Sequence, residues 1–132
     1  MDQKPSRLLL PVILCSQFAG TSLWFAGNAV LGDIHTNTSG AIADVTSAVQ
    51  FGFIAGTLVF SLLTIADRFP APAVFFLSSV IAAGCNLLLM PFGKDPGTLF
   101  AIRVATGFFL AGIYPVGMKI AADLFPVQLG NA

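Results

Sequence analysis

Four long apolar stretches, separated by short polar breaks, organise the chain. They run over about 8–32, 45–66, 72–90 and 99–122, the last with Arg103 inside it. A helix rises about 1.5 Å per residue, so about 20 apolar residues cross a hydrocarbon core roughly 30 Å thick. The breaks carry turn chemistry. Residues 33–40 are polar, Asp67-Arg68-Phe69-Pro70-Ala71-Pro72 is charged and proline-rich, and Pro91-Phe92-Gly93-Lys94-Asp95-Pro96-Gly97 is a Gly/Pro loop. The pattern predicts an all-α membrane protein with four transmembrane helices in one domain, residues 1–132. The first apolar run is longer than a signal-peptide core, and Leu14 before Cys15 is not the small residue of a lipoprotein cleavage site, so the run is expected to stay as a membrane helix.

Within the apolar runs the polar positions form stripes. Gln17, Thr21, Trp24 and Asn28 recur at steps of four, three and four, and at 100° per residue they fall within about 60° of one another. Thr46, Gln50, Thr57, Ser61 and Thr64 do the same in the second span, and Arg103, Gly107 and Tyr114 share a face of the fourth. The third span is poorest, with Ser79 and Asn86 beside Ala82 and Ala83. Two readings stay open. Either spans one, two and four line an aqueous path while span three faces lipid, or the polar groups are interhelical hydrogen-bonding contacts worth about 0.6 kcal/mol each. Arg103 is the strongest signal, because a guanidinium stays charged and costs about 2.5–3.5 kcal/mol at the centre of a bilayer. If it faces the bundle, its partners are amide or carbonyl oxygens, an anion, or an acid on further helices; snorkelling to the interface is the alternative. Gly52-Phe53-Ile54-Ala55-Gly56 is a GxxxG pattern, and Gly107 and Ala111 repeat that spacing, so spans two and four are expected to approach closely. Pro115 is expected to kink span four.

Composition and charge agree with lipid as the solvent. Hydrophobic residues make up 56% and charged residues 9%, against about 25% charged in soluble domains, and the mean hydropathy is +0.89. Net charge is zero and no basic run points to nucleic acid. Cys15 and Cys85 lie in apolar runs and the single His35 lies in a loop, so neither a metal site nor any cofactor is expected. No nucleophile–base pair or phosphate-binding loop stands at usable spacing, so the chain reads as something other than an enzyme. Lys4, Arg7, Arg68 and Lys119 fall on one side of the membrane and Lys94 on the other. That bias places both termini in the cytoplasm, across the cell inner (plasma) membrane.

The same residues resemble the major facilitator superfamily of secondary transporters. The loop beginning Asp67-Arg68 is similar to that family's G-x-x-x-D-R-x-G-R signature between helices two and three. Leu63, Pro70 and Ala71 stand where it has glycine, glycine and a basic residue. The run from Arg103 through Gly107, Ala111, Gly112 and Pro115 resembles the helix-four signature, in which the arginine is tied to proton coupling or substrate. The ending Lys119-Ile120-Ala121-Ala122-Asp123 resembles the cytoplasmic end of that helix, where an acid pairs with the loop arginine. The resemblance therefore implies an Arg68–Asp123 pair, with Lys119 competing for Asp123 from one turn away.

The resemblance covers four of about twelve helices, so it implies a partial N-terminal helical bundle of a transporter, a fragment inactive alone. It implies transport of a small solute, coupled to a proton or another ion by symport or antiport. Gln17, Trp24, Asn28, Arg103 and Tyr114 are the candidate solute or coupling-ion residues, Asp67, Arg68 and Asp123 the cytoplasmic gate, and Gly52, Gly56, Gly107, Ala111 and Pro115 the packing positions. Arg103 favours an anionic solute, because guanidinium binds carboxylates bidentately. The alternative is a complete four-span protein, acting as an oligomeric exporter or a non-transport assembly subunit. Small exporters of that size resemble one another in a membrane glutamate, and this chain has no glutamate.

Overall fold

The structure, a computed structural model, describes residues 8–34 and 39–124, with side chains for residues 8–26 and 45–124. Among these residues the chain forms helices α1 (Leu9–Ile34), α2 (Ser39–Leu62), α3 (Ile65–Arg68), α4 (Ala71–Phe92), α5 (Pro96–Leu110) and α6 (Tyr114–Leu124). Four segments among the described residues are long and apolar enough to cross a membrane: α1, α2, α4, and α5 with α6 taken together. Large apolar side chains such as Phe18, Phe25, Phe51, Ile54, Phe76 and Met90 point outward. In water that surface would aggregate; in lipid it is the solvated face.

The helix ends follow local chemistry. α2 begins at Ser39, six residues before the expected start, because a helix satisfies its own backbone hydrogen bonds and need not stop where the apolar run does. It stops at Leu62, earlier than expected. Thr64 then takes left-handed angles, φ 48° and ψ 40°, and starts the single turn of α3. Phe69 precedes a proline and is forced into extended backbone at φ −118° and ψ 153°, which closes α3. Gly93 ends α4 with its N–H on the Leu89 carbonyl at 2.8 Å. Asp95 opens α5: its carboxylate accepts from the backbone N–H and the hydroxyl of Thr98, both at 2.8 Å. Pro96 follows at the first helical position, where a missing N–H costs nothing.

The fourth span breaks rather than bends. Ala111, Gly112 and Ile113 donate to carbonyls only three residues back, at 3.3, 3.0 and 3.0 Å, and four-residue bonding resumes with Gly117 on Ile113 at 2.8 Å. Pro115 explains the place. It has no N–H for the Ala111 carbonyl, and its ring would clash with that carbonyl in a continuous helix. The disturbance therefore lies in the turn before the proline.

α5 and α6 form the centre of the bundle, touching α1 and α4, and α5 packs most closely on α2. At that crossing a Cβ on Gly52 would meet the Val104 backbone, one on Gly56 the Phe108 backbone, and one on Gly107 the Val49 carbonyl. Only glycine lets the two backbones come this near. Ala111 lies one turn beyond Gly107, against Gly56. Beside this seam Val49, Ala82, Leu110 and Ile113 make the main buried cluster, flanked by Leu23, Trp24, Phe53, Phe75 and Phe109. A second cluster joins Val45, Leu89 and Leu99.

The reading in which span three faces lipid is corrected here. α4 buries Val74, Ser78, Ala82 and Leu89, and only its opposite stripe, with Phe76, Leu77, Leu87 and Met90, is exposed. One face of α4 carries small side chains, which lets α5 and α6 lie against it.

Candidate functional site

Arg103 projects from α5 into the bundle and is 0% exposed. Its Nη2 donates to the Trp24 carbonyl of α1 at 2.9 Å, and its Nη1 lies 3.4 Å from Oδ1 of Asn86 on α4. The Asn86 amide is held in turn by a 3.1 Å bond from its Nδ2 to the Ala82 carbonyl. Among the described residues Arg103 is the only buried charged side chain. Its position excludes snorkelling, and its partners among the described residues include the carbonyl and amide oxygens that the sequence allowed for. Charge-assisted bonds of this kind are about twice as strong as neutral ones. The guanidinium therefore ties three helices together around one point.

Toward the α5–α6 break lies a cleft of about 200 Å³ lined by Thr21, Trp24, Phe53, Leu110 and Tyr114. Trp24 meets Phe53 edge-on, with ring centroids 5.4 Å apart at 65°. Gln17, two turns earlier on α1, donates Nε2 to the Tyr114 carbonyl at 3.0 Å, and its Oε1 is buried without a hydrogen-bond partner. It rests on Gly117, where a Cβ would overlap it. Two of the five candidate residues, Trp24 and Tyr114, thus line this cleft, with Arg103 joined to it through the Trp24 carbonyl and Gln17 through the Tyr114 carbonyl. Asn28 lies on α1, but its side chain is outside the described residues.

Two of the stripe hydroxyls, Thr21 and Ser79, and two others bond within their own helices. Thr21, Ser22, Ser79 and Thr106 donate to carbonyls three or four residues earlier in their own helices, at 2.7–3.1 Å. They are neither bridges between helices nor free to bind a solute. Gln50 is exposed, away from the cleft.

At the other end of α6 the expected loop pair is replaced by a different one. Lys119 forms the ion pair with Asp67 and also donates to the Ala66 carbonyl at 3.0 Å. Arg68 and Asp123 are both exposed and do not pair. The reason is α3. In a helical turn successive residues point about 100° apart, so Asp67 faces α6 while Arg68 faces away. Thr57, Ser61, Thr64 and Pro115 line a second cleft of about 200 Å³ above this ion pair.

Two residues with a part in the site were not among the candidates drawn from sequence. Asn86 was the one amide of the third span, and its position mid-helix was the available signal. Ser78 is buried where a Cβ on Gly112 would overlap it, and no spacing pattern marked it.

No curated protein and no solved structure gives a significant match to the chain. The family model described as Major Facilitator Superfamily matches residues 9–132. With four membrane-spanning segments, a buried arginine in the last of them and a family match over nearly its whole length, the chain belongs to the Major Facilitator Superfamily, whose members are multi-pass membrane transporters.

Proposed function

We propose that this chain is part of a proton- or ion-coupled secondary transporter for a small anionic solute, with its site in the cleft beside Trp24 and with Arg103 behind it. The observation that carries the reading is the guanidinium buried between α1, α4 and α5, bonded to a carbonyl and an amide oxygen. Both are neutral acceptors. A carboxylate entering between α1 and α5 offers two charged acceptors in the fork geometry a guanidinium matches best, and displaces them. Because Trp24 supplies both the carbonyl and a wall of the cleft, occupation of the cleft and release of α1 from Arg103 are linked. Alternating access needs two bodies rocking about one site. The described spans are assigned one of those bodies, as a partial transporter working against a second helical body. Both termini are assigned to the cytoplasmic side of the inner (plasma) membrane from the distribution of Lys and Arg, and the Asp67–Lys119 pair to a cytoplasmic gate.

Trp24 is the only tryptophan in the chain, so its emission reports directly on the cleft. The chain in lipid nanodiscs is titrated with benzoate and, as the neutral control, benzamide. The expected result is a saturable emission change with benzoate alone, lost in Arg103→Gln. An equal response to the amide removes the anionic assignment, and no response to either removes the cleft as the site.

A further inference from the structure

We infer that the cleft between α2 and α6 is a water inlet, running from the Asp67–Lys119 ion pair to the broken stretch of the fourth span, with Thr57 as its inner hydrogen-bonding group. The inference goes beyond the solute site, because neither Arg103 nor Trp24 takes part in it.

Thr57, Ser61 and Thr64 line this cleft together with Asp67, Ala111 and Lys119. Steps of four and three residues put the three hydroxyls on one side of α2. At 1.5 Å per residue Thr57 lies about 6 Å deeper than Ser61. Contacts fix the two ends. Lys119 bonds Asp67 at the one, and Ala111 packs on Gly56, the residue beside Thr57, at the other. Ser61, Thr64 and Asp67 are exposed, whereas Oγ1 of Thr57 is buried and has no hydrogen-bond partner. Thr21 and Thr106 settle their hydroxyls on the carbonyl four residues back; Thr57 does not. A buried hydroxyl left unpaired is costly, so this one needs a partner from inside the cleft. A second unmet group belongs to the same lining. Pro115 has no N–H to offer the Ala111 carbonyl.

Water is the occupant these groups select. A buried water needs space and two to four polar partners. The cleft has a volume of about 200 Å³, room for about six waters at roughly 30 Å³ each. An alkyl chain in the cleft would leave the Thr57 hydroxyl unpaired. An ion of either sign would find its opposite charge already taken, because Lys119 and Asp67 hold each other. Water inserted into the hydrogen-bond ladder beside a proline is an established cause of helix kinks. Here it would let residues 111–113 change bonding pattern without stranding a polar group.

The experiment uses the chain in lipid nanodiscs, with its two cysteines, Cys15 and Cys85, replaced by alanine. Single thiols are introduced by Ser61→Cys, Thr57→Cys and Leu58→Cys and treated with a charged methanethiosulfonate, which reacts with an ionised thiol. Leu58 is the dry control, at the depth of Thr57 but outside the cleft lining. Ser61→Cys is expected to react fastest, and Thr57→Cys to react at least about tenfold faster than Leu58→Cys, since only a hydrated thiol ionises. Ser61→Phe, at an exposed position, narrows the mouth and should slow labelling of Thr57→Cys severalfold. Equal rates for Thr57→Cys and Leu58→Cys overturn the inference, showing that protein or lipid fills the cleft. Labelling of Thr57→Cys that Ser61→Phe leaves unchanged overturns it too. Hydrogen exchange gives a reading with Thr57 in place: Ser61→Phe should slow exchange of the Ala111, Gly112 and Ile113 amides, and unaltered exchange there also sinks the inlet.

Discussion

α2 and α1 both lie against the fourth span, but by different means. Along α2 the contact is backbone against backbone, through Gly52, Gly56 and Gly107. Along α1 it runs through long polar side chains, Gln17 to the Tyr114 carbonyl and Arg103 to the Trp24 carbonyl, with open clefts on either side. Dispersion contacts lose a quarter to a half of their strength over roughly 0.5–1 Å and have no substitute partner. A hydrogen bond to a carbonyl can be taken over by a water, an anion or another amide. The first seam is therefore fixed and the second exchangeable, which makes α1 the element that a solute can move.

The largest effect expected is on the fixed seam. Gly107→Leu drives a side chain into the Val49 carbonyl and should cost about 3 kcal/mol or more, read from denaturation in mixed micelles; a loss under 1 kcal/mol on that scale would show that the seam can widen and would dissolve the contrast. Next comes Arg103→Gln, expected to cost about 1–3 kcal/mol by leaving buried oxygens unsatisfied. Its signature is local, because amide exchange should speed up along α1 while α2 keeps its protection, and equal acceleration in both helices would argue against separate seams. Thr64→Gly relieves the left-handed angles at the end of α2 and should stabilise the chain by about 1 kcal/mol; a destabilised variant would mean the threonine has a role that outweighs its backbone.

Smaller still, Gln17→Leu removes one exchangeable bond and should cost about 0.6 kcal/mol, with a cost near that of Gly107→Leu arguing that α1 is as rigidly held as α2. The least effect is outside the membrane. The Thr98 backbone N–H and hydroxyl hold the Asp95 carboxyl below the usual carboxylate range. A lowered folded value means that its contribution is full at neutral pH and fades as pH falls through that value. The first turn of α5 should then exchange faster below the normal carboxylate range while the seams stay unchanged, and Asp95→Asn should flatten that dependence.

The spans and the fixed seam were legible because they depend on local quantities: apolar length, and small residues at a four-residue spacing. Gly52, Gly56 and Gly107 needed no knowledge of neighbouring side chains to be placed at a close approach. The exchangeable seam was legible only on one side. Arg103 stood out by the cost of its charge in lipid, but its partners Asn86 and the Trp24 carbonyl depend on how α4 and α1 are rotated about their axes, which weak stripes of alanine and serine do not set. The loop pair failed for a related reason. Family spacing pointed to Arg68 and Asp123, whereas the helical turn of α3 rotates Asp67 toward Lys119. α3 exists because Thr64 interrupts α2, and nothing in an apolar run ending Leu62-Leu63-Thr64 announces that interruption.

The broken stretch at Ala111, Gly112 and Ile113 has a mechanical consequence. A continuous rod would carry any tilt at one membrane face directly to the other. Here α5 stays clamped to α2, while α6, packed on α1 and α4 and carrying Lys119 with its anchor on Asp67, is joined to α5 by three residues that make only the shorter bonding pattern. The fourth span is then jointed like an elbow, so the tilt of the arm that carries Lys119 is not fixed by the tilt of the arm that carries Arg103.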